Sequence, residues 1–222
     1  MLLAIDTSSL VLSCALAEND RLISEWTVQR KLTHSEQLIP HLDNMMKDAG
    51  VSREEITAVA CSLGPGSFTG LRIGLASIKM MACIWDVPLI GVDTLEALAW
   101  NMAGGEAYAL PIMDAQRGNV YAALYSVHGS EVIKEEQETV ISIDELTEKV
   151  SGLSVPVTAL GEAADKYADK PVSRWRLRLS AAAAPEVWLW PLGTSWKREK
   201  RKVRLPLRLI IFAEVRQKYS GN

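Results

Sequence analysis

Residues 62–74 read SLGPGSFTGLRIG, and they join two segments of opposite character. Before them, residues 56–63 (ITAVACSL) are short, apolar and β-branched, the pattern of a buried strand. After them, Leu71, Leu75, Ile78, Met81 and Ala82 recur at helical spacing, which predicts a helix from about Thr69. Gly64, Gly66 and Gly70 let the backbone turn and approach closely, and Pro65 stiffens the join. Ser67 or Thr69 can cap the helix. A strand, a glycine turn and a helix N-terminus together can hold a phosphate, because free N–H groups point outward there. Spacing alone leaves open a tight turn that binds nothing. No Lys follows Gly70, so the Walker pattern is absent, and the dinucleotide pattern is absent too.

The chain has 222 residues, enough for one large domain or two lobes, with 48% hydrophobic and 23% charged residues. Cys14, Cys61 and Cys83 are odd in number, sit in apolar runs and form no CxxC pair, which points to reduced thiols rather than disulfides or zinc. The N-terminal MLLAIDTSS lacks a basic leader and is interrupted by Asp6, so no signal peptide is expected. No unbroken apolar run nears the ~18 residues of a membrane helix. These features together predict a cytoplasmic protein without membrane contact. The net charge of −3 conceals an asymmetry: residues 1–170 hold 12 basic and 24 acidic residues, residues 171–222 hold 12 and 3. Four of the seven tryptophans lie in that basic stretch.

Residues 2–6, 11–17 and 21–28 read as three strands of a β-meander. Asp6, Thr7 and Ser8 follow the first of them, and an Asp there can serve a phosphate or simply a turn. Residues 33–50 form a helix with Thr33 and Glu36 as a capping box, Gly50 as the stop, and a bend at Pro40. Leu38, Leu42, Met45, Met46 and Ala49 make its core stripe. His34 and His41 lie seven apart, roughly 10 Å along the axis, too far to share a metal. Residues 87–92 read as a strand, Thr94 caps a helix, and Gly104-Gly105 mark a lobe boundary. Residues 107–114 and 119–127 read as paired strands, and 131–142 as extended chain. Helices are expected near 144–150 and 162–168, with a strand over 155–160. No repeat of 20–50 residues is visible. Strand–helix alternation gives an α/β protein with parallel members in its sheet.

Asp6-Thr7-Ser8, HSEQLIPHL at 34–42, GPGSFTGLRIG at 64–74 and DAQRGNVYAALY at 114–125 occur in the order seen in the TsaB (YeaZ) family of bacterial tRNA threonylcarbamoyladenosine biosynthesis proteins. The resemblance covers about residues 1–170. It implies an actin-like (ASKHA, ribonuclease H-like) fold of two related lobes, over residues 1–104 and 105–170. It implies a non-catalytic partner of TsaD, with the ATPase TsaE in the same complex and tRNA reached indirectly. ATP and metal then belong to the partner subunits, and the chain alone forms a homodimer. It places the partner surface at His34, Glu36, Leu38, Ile39 and Leu42 of the first long helix and at Arg72, Ile73, Leu75, Ala76 and Met80 of the second. A nucleotide-like loop would comprise Asp6, Thr7, Ser8, Gly64, Gly66, Ser67, Gly70 and Asp114. Residues 171–222 depart from the family and read as a divergent or out-of-frame basic segment, with a basic, Trp-bearing arm for nucleic acid as the alternative.

Physical chemistry adds to this. Ile39, Met46, Ile73 and Met80 fall off the two core stripes and give the helices a second apolar face, as a helix-to-helix interface requires. Burial of both faces within one chain is the alternative. Arg72 near a helix start opposes the dipole and is expected to seek a carboxylate rather than hold phosphate. The alternative function is an ATP- or metal-dependent transferase acting by itself around Asp6, the glycine turn and Asp114. No nucleophile–base set favours it.

Overall fold

The computed structural model describes residues 1–19, 21–29, 34–167 and 175–177. The chain opens with β1 (Leu2–Asp6), β2 (Val11–Glu18) and β3 (Arg21–Gln29), followed by α1 (His34–Asp48), β4 (Ala58–Gly64), α2 (Phe68–Trp85) and β5 (Leu89–Asp93). These strands form one sheet in the order β3-β2-β1-β4-β5. β1 pairs antiparallel with β2 and parallel with β4, and Ile5 lies between Cys14 and Cys61. α3 (Thr94–Trp100) then leads to β6 (Gly105–Gln116), β7 (Asn119–Ala122), β8 (Tyr125–Gly129), β9 (Glu131–Lys134) and β10 (Thr139–Ser142). α4 (Ile143–Ser151), β11 (Val157–Leu160), α5 (Glu162–Lys166) and β12 (Trp175–Leu177) complete the described elements.

The second sheet runs β10-β7-β6-β11-β12. β10 and β7 are antiparallel, β7 and β6 are antiparallel, and β11 and β12 run parallel to β6. That sequence of pairings repeats the first sheet, with α4 in the place of α1 and α5 in the place of α2. The fold is therefore a duplication of one strand–helix unit, with the β8–β9 hairpin as an addition to the second copy. The sequence shows no such repeat, because the two copies share a pattern of burial rather than residues. β12 comes from the basic C-terminal stretch and is the outermost of the described strands on that side of the second sheet; residues 178–222 lie outside the described ones.

Both faces of the first sheet are covered. Leu3, Ile5, Leu12, Cys14 and Leu16 meet Leu38, Leu42, Met45 and Ile78 of α1 and α2 on one side. Leu2, Ala4, Ala60, Ile90 and Val92 meet Ala97 and Trp100 of α3 on the other. The opposite side of α3 (Leu95, Leu98, Ala99) packs on Ala109, Met113, Tyr125 and Val127, so α3 is the layer between the two sheets.

Four local expectations change. α1 runs through Pro40 without interruption. Its expected Thr33 cap lies outside the described residues. Asp93, not Thr94, caps α3: its Oδ1 accepts from the N–H groups of Leu95 at 2.8 Å and Glu96 at 3.0 Å. Residues 119–127 form two strands rather than one, with Ala123 and Leu124 between them. β6 pairs with β8 up to Ala109 and with β7 from Ile112, and the break falls at Pro111, which has no N–H to donate. Of the two places given to Met46, the core stripe and the second apolar face, it takes the first and packs against the core.

Candidate functional site

The glycine turn folds back on the β1–β2 turn. The Ser67 N–H donates to the Ser8 carbonyl at 2.6 Å, and Ser67 Oγ caps α2 by accepting from Gly70 N–H at 3.2 Å. A Cβ on Gly66 would strike the Ser8 carbonyl oxygen, one on Gly70 the Thr7 carbonyl oxygen, and one on Gly74 the Thr7 hydroxyl. Thr7 and Ser8 are buried, at 2% and 1% exposure. The side-chain directions of Gly66, Gly70 and Gly74 are thus occupied by Thr7 and Ser8 of the neighbouring turn. These glycines serve close packing of α2 on the sheet.

Asp6 ends β1 and is buried; its Oδ1 accepts from Ser62 Oγ at 2.6 Å and from Ser8 N–H at 2.8 Å. Asp114 sits in the corresponding strand of the second sheet, where Lys166 Nζ donates to it at 2.8 Å. Each carboxylate is spent on its own half. Beside Asp114, burial raises the Glu162 carboxyl above the usual range, while the backbone N–H groups of Asp114 and Leu10 partly offset this. Burial, with Asp6 adding to it, pushes the Cys61 thiol up to about 11. Among the described residues, no group of three His, Cys, Asp or Glu side chains is placed to hold a metal ion. An open pocket of about 490 Å³ lies between the glycine turn and the second sheet, with Leu63, Phe68, Arg72, Tyr121 and Glu138 on its walls.

α2 presents a different kind of surface. Gly70, Gly74 and Ile78 face inward, whereas Phe68, Met80 and Ile84 are 69%, 64% and 64% exposed. Ala76 and Cys83 are exposed and Ile73 and Leu75 are half-buried. Ile39 of α1 adds a further exposed apolar group at 48%. By length and a mean hydropathy of 1.2 the 18-residue helix could cross a membrane, yet only 17% of it is buried inside the protein. Arg72 makes no ion pair among the described residues; its guanidinium lies 3.7 Å over the Phe68 ring instead. The expected carboxylate partner is replaced by an aromatic one because Phe68 lies one turn earlier on the same side of the helix.

The residues singled out from sequence therefore separate. Leu38 and Leu42 are core residues at 1% and 3% exposure, which removes them from any partner surface. Ile39, Arg72, Ala76 and Met80 lie on the outside. The side chains of His34 and Glu36 lie outside the described ones. Phe68 and Ile84 belong to the exposed face and were missed; their spacing from Met80 and Arg72 was the available signal.

The family described as TsaD, tRNA N6-adenosine threonylcarbamoyltransferase, matches residues 28–182. The chain belongs to this family. Its relatives include the tRNA threonylcarbamoyladenosine biosynthesis protein TsaB of Bacillus subtilis, 37% identical over 56% of this chain and 54% of that one. TsaB of Escherichia coli is 33% identical over 69% of this chain and 67% of its own length. The chain thus spans little more than half of the Bacillus relative. Among solved structures, YeaZ from Pseudomonas aeruginosa superposes with a TM-score of 0.69 at 22% identity, covering 99% of this chain and 92% of that one. The fold is the actin-like one of two related halves. The family match passes Lys170 and takes in β12.

Proposed function

We propose that this chain is a non-catalytic partner of the TsaD subunit in the modification of tRNA to threonylcarbamoyladenosine at position 37. The observation that carries this reading is the exposed apolar face of α2, with Phe68, Ala76, Met80 and Ile84 uncovered on a helix whose other side is core. Three large apolar side chains, with Ala76 between them, exposed to water on one helix call for a partner surface. The glycine turn is in keeping with it, since Gly66, Gly70 and Gly74 serve close packing against Thr7 and Ser8. In this reading the ATP and metal reside in the partner subunits, TsaE joins the assembly, tRNA is reached indirectly, and the work is done in the cytoplasm. Alone, the chain pairs with itself through the same face.

Co-purification with TsaD and TsaE, followed by a tRNA modification assay with and without this chain, tests the proposal. The expected result is a stable heterodimer and loss of modification when the chain is left out. Ile73→Glu and Met80→Glu are expected to abolish pairing while leaving the monomer folded, because each puts an unpaired charge into an apolar contact. Modification that proceeds fully in the absence of the chain would sink the reading.

A further inference from the structure

The pocket between the glycine turn and the second sheet carries two opposite charges that the fold does not use. Arg72, in the first turns of α2, stands on one wall, and Glu138, just before β10, stands on another. Among the described residues neither makes an ion pair, with the other or with a third group. A cation and an anion that share a pocket and do not neutralise each other leave both ends of a dipolar ligand unmet.

Arg72 is prepared for an anion. Its guanidinium lies 3.7 Å over the Phe68 ring, a contact that holds the group in place and uses none of its five N–H donors. Those donors keep the planar fork that matches a carboxylate. Glu138 has the opposite need. Burial and the nearby Asp93 raise its carboxyl above the usual range, and Lys134 offsets this only in part. Lys134 is committed to Asp93, at 3.2 Å. A carboxylate so placed gains from a cation that a ligand brings.

Apolar side chains line the rest of the pocket. Leu63 and Phe68 are 58% and 69% exposed, and Leu71 stands beside them. Leu63 rests over Gly91, where an added Cβ would strike it, so the absence of a side chain in β5 gives this wall its seat. The volume of about 490 Å³ lies within the roughly 300–1,000 Å³ of small-ligand sites.

We infer that this pocket binds a dipolar ligand, an apolar amino acid or short apolar peptide with free amino and carboxyl ends. Its carboxylate meets Arg72, its ammonium meets Glu138, and its side chains lie against Leu63, Phe68 and Leu71. The inference goes beyond the partner reading and does not rest on it, since Ala76, Met80 and Ile84 line no part of this pocket.

The test titrates the full chain with leucine, leucyl-leucine and trileucine, each also in N-acetylated and C-amidated form, by calorimetry. At least one free form is expected to bind, with a Kd in the millimolar range or tighter. Either block is expected to weaken that form by about tenfold, the loss of one charge-assisted contact. The length that binds most tightly separates a free amino acid from a peptide source. Arg72 and Glu138 are both exposed, so their substitution leaves the core intact. In Arg72→Gln the amidated and free forms should bind alike while acetylation still costs affinity; in Glu138→Gln the reverse should hold. No binding by any free form overturns the inference. So does binding that ignores both blocks, which would mark an apolar additive only, and so do variants that leave both penalties as they are in the native chain. Because TsaD is absent from the titration, its outcome and that of the pairing assay are read separately.

Discussion

Gly70 and Gly74 lie one turn apart on the inner side of α2, and what each would meet differs in its ability to give way. A Cβ at Gly70 meets the Thr7 carbonyl oxygen, which is backbone; one at Gly74 meets the Thr7 hydroxyl, which can rotate. Gly70→Ala should therefore cost about 2–3 kcal/mol of stability and Gly74→Ala about 1 kcal/mol, read from urea unfolding. Equal losses would mean that Thr7 does not fix the approach of the helix. The three thiols also differ. Cys14 and Cys61 are buried, Cys83 is exposed on α2, and burial raises Cys61 to about 11. One thiol per native chain should react with a maleimide near neutral pH, and three after unfolding. At this scale the sequence was partly legible. GPGSFTG announces a tight strand-to-helix turn, but whether its glycines admit a ligand or the chain's own backbone depends on where residues 7 and 8 lie. Sequence spacing holds no information about that approach.

Helix ends and strand breaks follow from chemistry that is written locally but chosen by context. α4 begins with a capping box: Ser142 Oγ accepts from Glu145 N–H at 3.2 Å, and Glu145 Oε2 accepts from Ser142 N–H at 3.3 Å. Ser142→Ala should cost about 1 kcal/mol, and a melting curve shifted by nothing measurable would argue that the box is solvated and idle. The S-x-x-E spacing shows this cap without a structure. At α3 the chain offers two adjacent caps, Asp93 and Thr94, and the sheet decides. β5 holds Asp93 extended at its last position, leaving its side chain free to reach Leu95 and Glu96, while Thr94 is carried into the first turn. The split of β7 from β8 is similar. A single alternating run spans residues 119–127, and only the register against Pro111 shows where the ladder stops. Core stripes were the most legible feature of all, because Leu38, Leu42, Met45 and Ile78 need only a 3.6-residue period. The opposite face of α2 was harder to read, since apolar residues on both sides of a helix fit a doubly buried helix equally well.

For the whole molecule, the duplicated sheet places Asp6 and Asp114 at matching strand ends, and the two halves meet across α3 and a few polar contacts. Lys134 Nζ reaches Asp93 Oδ2 at 3.2 Å from the second half to the first. Glu162 works differently: it stands at the start of α5, near the backbone N–H groups of both Asp114 and Leu10, where burial makes its ionised form costly. Its carboxyl holds a proton more tightly in the folded chain than in the unfolded one. The folded state is therefore favoured when Glu162 is protonated and loses that advantage as pH rises from the ordinary carboxylate value through the raised folded value. Glu162→Gln isolates this group from the other carboxylates, since both proteins share every other titration. Relative to the variant, the native chain should gain stability as pH falls through that window and gain nothing more below it. At neutral pH the variant should be at least as stable as the native chain, because burial outweighs the backbone N–H groups of Asp114 and Leu10. Urea midpoints of the pair across the acid range decide the point. A native-minus-variant difference that stays flat with pH would mean that Glu162 is as well solvated as a surface carboxylate and does not couple the β1–β2 turn to the second sheet.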